Sequence, residues 1–165
     1  VQKQAVQGET QASSTPQSSV GAIAKKNVLP EVGGCFLIDE TGVIFRETPE
    51  IFSSLMPTFY DKTSRAYKLR EQVVASSTVA FAVDVKKEIR RNGVGVVGFL
   101  LDDRNSPDSD LNAFTDEGWL IYFNTARLPA FQAQAVGALL EGELKNKRKN
   151  LEYVDLRIDN RIYYK

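Results

Sequence analysis

The chain has 165 residues, 42% of them hydrophobic and 25% charged, the make-up of a soluble globular fold with a core of its own. Its 21 lysines and arginines balance 21 aspartates and glutamates, so no global field draws it to nucleic acid or to an anionic membrane surface. The absence of histidine and the single cysteine, Cys35, exclude an internal disulfide and a zinc site of cysteines and histidines, and nothing calls for a cofactor.

In chain order, residues 1–32 are rich in Gln, Ser, Thr, Ala and Gly and lack periodicity, the composition of a flexible polar linker. Val1 to Val6 fits the tail of a strand from an upstream domain. The folded domain is expected over 33–165. Cys35–Ile38 and Val43–Phe45 are short β-prone runs around Asp39-Glu40-Thr41-Gly42, a hairpin with Gly at its corner. Pro49 and Pro57 bracket a loop crossing anchored by Phe52 or Leu55, and Tyr67–Val74 reads as a short strand or the approach to a helix.

Ser76 and Ser77 are capping residues before a helix whose Phe81, Ala82, Val85 and Ile89 share a stripe. Lys86, Lys87, Arg90 and Arg91 gather toward its C-terminus, and Asn92-Gly93 stops it. Val94–Leu101 is a strand. Leu111–Thr115 and Trp119–Asn124 form a hairpin in which Trp119, Ile121 and Phe123 share one face. Apolar residues on both faces of the second arm make it an interior strand. From Pro129 a second helix runs into the basic cluster Lys145, Lys147, Arg148 and Lys149, with Phe131, Ala135, Ala138, Leu139 and Gly142 on its buried stripe and Gln132 pointing away.

The tail, LEYVDLRIDNRIYYK, alternates Val154, Leu156 and Ile158 with Asp155 and Arg157, breaks at Asp159-Asn160, and resumes with Ile162, Tyr163 and Tyr164. It predicts a hairpin on a two-residue turn. Tyr163 would then join Leu156 and Ile158 on the core face, leaving Ile162 and Tyr164 on the other. If nothing pairs with its second arm, that arm is an open sheet edge where another chain can dock. The whole predicts an α+β fold, a mainly antiparallel sheet with two amphipathic helices packed on one face.

The carboxylate-rich loop DDRNSPDSD lacks the glycine and terminal glutamate of a calcium-binding loop and reads as solvated. Asp39-Glu40 reads as turn chemistry, Cys35 as a small buried residue with no histidine to activate it, and Asp155 with Arg157 as a packing pair.

FLIDETGVIF (Phe36 to Phe45), Trp119 after Asp-Glu-Gly, a helix of about twenty residues and YVDLR (Tyr153 to Arg157) together resemble the bacterial cell-division proteins FtsQ and DivIB. The resemblance covers Gly33 to Lys165, and YVDLR is its most specific part. It implies the extracytoplasmic β domain of a single-pass membrane protein, with the membrane anchor and a POTRA domain upstream; beginning on valine, the chain reads as a fragment. It also implies a non-catalytic scaffold of the divisome, whose last strand receives a β-strand from an FtsB or DivIC partner that works with FtsL. Carried over, the receiving residues are Asn160, Arg161, Ile162, Tyr163, Tyr164 and Lys165; the segment stops within a few residues of YVDLR, so the partner's side-chain contacts do not transfer. Two rival expectations are a cell-envelope hydrolase or carbohydrate-active domain pairing Asp39 with Asp102 or Asp155, and a module whose edge pairs with a second copy of itself.

Overall fold

The computed structural model describes residues 34–49, 56–61, 66–101, 110–145 and 147–165. The linker expected over 1–32, the loop around Phe52 and Leu55, and Asp102, Asp103 and Asp108 lie outside them. Among the described residues, eight strands and two α-helices follow in the order β1 (Cys35–Ile38), β2 (Ile44–Thr48), β3 (Phe59–Asp61), α1 (Ser76–Arg91), β4 (Val96–Leu101), β5 (Asp110–Thr115), β6 (Leu120–Asn124), α2 (Pro129–Glu141), β7 (Tyr153–Asp155) and β8 (Tyr163–Tyr164). β1 and β2 form a two-stranded sheet; the other six form one sheet in sequence order, β3-β4-β5-β6-β7-β8. The fold is α+β.

The large sheet is mixed. β4-β5, β5-β6 and β7-β8 pair antiparallel, whereas β3-β4 and β6-β7 pair parallel. A helix causes each parallel pair: α1 lies between β3 and β4, and α2 between β6 and β7, so the chain crosses over and returns in the same direction. β3 carried no sequence signal, because three residues after a proline are too few to show a period.

Both helices share one core with the sheet. Phe81, Ala82, Val85 and Ile89 of α1 and Ala133, Val136, Leu139 and Leu140 of α2 pack with Phe99, Leu111, Ala113, Ile121, Phe123 and Val154. Trp119, Ile121 and Phe123 are buried on this face as their alternation predicts, and Phe81 meets Phe123 edge to face at 5.9 Å. Leu120 and Tyr122, on the open face, are only half-buried. Gly98 has no Cβ because the Tyr60 ring lies where one would stand, which seats β3 against β4.

Several local expectations are corrected. The N-cap of α1 is Ala75, and Ser76 and Ser77 fall within the first turn without capping. Lys86 is buried, its ammonium donating to the Met56 carbonyl at 2.7 Å, and burial followed by the charge of Arg90 lowers its pKa. Of the two readings of Tyr67–Val74 the second holds: the segment leads into α1 and forms no strand beyond a single bridge of Gln72 to Val43, with backbone bonds from Ile44 to Glu71 and from Arg70 to Ile44. Cys35 is half-buried rather than buried.

α2 differs most. It ends at Glu141, and a separate 3-10 turn follows at Arg148–Asn150. Its buried stripe is Gln132, Ala133, Val136, Gly137, Leu139 and Leu140; Gln132 is 2% exposed and Phe131 64%. Gln132 is inside because its amide completes backbone bonds at the end of β6, accepting from Asn124 N–H at 3.0 Å and donating to the Asn124 carbonyl at 2.9 Å. A buried amide with such partners is satisfied, and it rotates Phe131 outward. Of the basic cluster, Arg148 is engaged, binding Glu117 and donating to the Gly93 carbonyl at 2.7 Å.

Candidate functional site

β8 is a terminal strand of the six-stranded sheet, with β7 on one side and, among the described residues, no strand on the other. Tyr163 and Tyr164 are 43% and 42% exposed. β3, at the opposite end, is half-buried throughout. The inner side of β8 is fixed by backbone bonds between Lys165 N–H and the Tyr153 carbonyl (3.2 Å) and between Tyr153 N–H and the Lys165 carbonyl (3.3 Å). Because hydrogen-bonded and non-bonded pairs alternate along an antiparallel ladder, the next pair, Val154 with Tyr164, is non-bonded. The N–H and C=O of Tyr164 therefore point away from β7, and Ile162 has the same parity.

The arm is shorter and differently registered than the sequence suggests. Asn160 takes the left-handed backbone (φ 57°), and Arg161 N–H approaches the Ile158 carbonyl at 3.4 Å, so the turn lies where expected. A two-residue turn would set Leu156 opposite Tyr163; instead Asp155 faces Tyr163 and Val154 faces Tyr164. A slip of one residue moves every side chain to the other face. Tyr164 thus lies on the helix side and Tyr163 and Lys165 on the open side, and neither tyrosine is core; just before β8, Ile162 and Arg161 border the helix-side hollow, with the Arg161 guanidinium reaching the Tyr163 hydroxyl at 3.4 Å. Ile158, expected to anchor the first arm, is 50% exposed, whereas Val154 and Leu156 are buried.

On the helix side the Tyr164 hydroxyl donates to Glu143 Oε2 at 2.6 Å, and this bond with the glutamate charge raises the tyrosine pKa. Beside it a hollow of about 210 Å³ is lined by Phe131, Leu156, Ile158, Ile162, Arg127 and Arg161 among others. Phe131 and Ile158 belong to this surface rather than to the core, which the sequence missed. The usable signal was Gln132, Val136 and Leu140 at i, i+4 spacing, a stripe that excludes Phe131.

On the open side Arg157 joins Asp155 at 2.7 Å and Asp110 at 3.3 Å and stacks 4.9 Å from the Tyr122 ring centroid. Burial pushes the Asp155 carboxyl up, but the Arg157 hydrogen bonds outweigh it and leave it below the usual range; the same bonds raise Arg157. This clamp holds β7 to the strands before it.

Of the carboxylates considered for catalysis, Asp39 sits in the β1-β2 turn, where Thr41 and Val43 hydrogen-bond its Oδ1, and Asp155 belongs to the other sheet. Among the described residues no group of three Cys, Asp or Glu side chains is placed to hold a metal, and no helix is long and apolar enough to cross a membrane. Comparison of the chain with protein-family models and with curated protein sequences finds no match.

Proposed function

We propose that the chain is a non-catalytic scaffold that receives a strand from another protein along the outer side of β8. The observation that carries this reading is the position of β8, an exposed terminal strand whose Tyr164 N–H and C=O face outward. Main-chain bonds to these groups supply affinity, and the hollow beside α2 receives a side chain of the incoming strand. The likeness of FLIDETGVIF and YVDLR to FtsQ and DivIB gives the setting: the extracytoplasmic β domain of a single-pass membrane protein in the bacterial divisome, acting in septum formation with FtsB or DivIC as strand donor and FtsL as that donor's companion.

The test is co-purification of an FtsB or DivIC type protein, produced together with its FtsL companion, with this chain and with Ile162→Asp and Tyr164→Asp variants. The wild-type chain retains the partner and both variants lose it with the fold intact by circular dichroism. Retention by both variants, or unfolding of both, contradicts the reading.

A further inference from the structure

The two faces of β8 differ in chemistry, and the register makes the difference regular. Tyr163 and Lys165 share the open face, which the Arg161 guanidinium reaches: Tyr163 stands opposite Asp155, Arg161 Nη1 lies 3.4 Å from the Tyr163 hydroxyl, and Lys165 exchanges backbone bonds with Tyr153. Ile162 and Tyr164 share the helix face, where Ile162 lines the hollow and Tyr164 bonds Glu143. An incoming strand therefore meets Arg161, Tyr163 and the Lys165–Glu152 ion pair on one side, and Ile162 and the Glu143-bonded Tyr164 on the other. The acidic groups nearby are engaged: Asp155 and Asp110 by Arg157, Asp159 by Arg127 at 3.2 Å, and Glu152 by Lys165 at 3.0 Å. Asp155 also lies two strand spacings, about 10 Å, from an added strand, whereas a residue directly opposite Arg161 has its Cβ about 5 Å away.

We infer that the strand received by β8 alternates a carboxylate with apolar side chains, the carboxylate on the open face against Arg161 and the apolar residues against Ile162 and the hollow. This rests on strand addition at β8 as proposed above. The alternation holds whether the strand runs parallel or antiparallel, since side chains alternate either way.

The experiment titrates the full chain with two synthetic peptides that share the same Val and Phe at alternate positions and carry either Glu or Lys between them, following the backbone amide signals of Ile162 and Tyr164. At low salt the Glu peptide binds about tenfold tighter than the Lys peptide, and the preference shrinks as salt is raised. The variant Arg161→Glu reverses the preference. Equal binding of both peptides, with the β8 amides shifting in each case, overturns the charge inference and leaves strand addition standing. If neither peptide shifts those amides, strand addition fails as well.

Discussion

β2 and β8 are each the second arm of a hairpin, and their outer sides have opposite fates. β2 is flanked at its start by residues 70–73: Ile44 N–H donates to the Glu71 carbonyl and its own carbonyl accepts from Arg70 N–H, while Val73 N–H bonds Gly42 in the turn before it. β8 carries no such cover among the described residues. Both turns hold an aspartate and a left-handed residue, Gly42 in one and Asn160 in the other, so the turns do not decide it. What the chain lays beside the second arm decides whether a hairpin edge is closed or available.

The sharpest way to break the comparison is to undermine the root of the open hairpin. Leu156→Ala removes a buried side chain beneath β8 and is expected to cost about 2–5 kcal/mol, lowering the urea midpoint of the whole protein. Ile162→Asp, six residues on and on the same hairpin, should cost about 0.5 kcal/mol or less while removing partner binding. Comparable losses in both would mean that the edge is core.

The closed hairpin gives the next effect. Gly42 has φ 78°, and a Cβ there would collide with the Val74 carbonyl. Gly42→Ala is expected to cost about 1–3 kcal/mol by chemical denaturation and to expose the amides of residues 70–73 to exchange, leaving β8 unaffected. Gln132→Ala follows, at about 1–3 kcal/mol, because it strands the Asn124 N–H at the end of β6.

The smallest effect is the pH response of the open-face clamp. With the folded pKa of Asp155 below its unfolded value, its stabilisation is complete above the unfolded value near pH 4 and is lost as pH falls through the folded value. The pair is partly solvated, so the loss is about 1 kcal/mol or less. Thermal unfolding of Asp155→Asn should show a shallower drop than wild type between pH 5 and pH 2.

Much of the framework was legible in the sequence because local rules set it. The Gly42 and Gly118 turns, the stripe of α1 and the alternation of Trp119, Ile121 and Phe123 are decided within a few residues. What was not legible depends on partners distant in sequence. Gln132 is buried because a β6 backbone end needs its amide, the parallel pairings follow from where the helices cross, and the faces of Tyr163 and Tyr164 turn on a single residue of register. The edge itself was anticipated from the tail, whereas its chemistry by face was not.

The central claim is that the outward groups of β8 take up a second strand. Residue-resolved amide exchange of the chain, alone and with the FtsB or DivIC type partner, tests it most directly. The account predicts that Tyr164 and Ile162 amides slow on binding, while the Lys165 amide, already bonded to Tyr153, changes little. Slowing confined to other surfaces, with Tyr164 exchanging as fast as before, would contradict it.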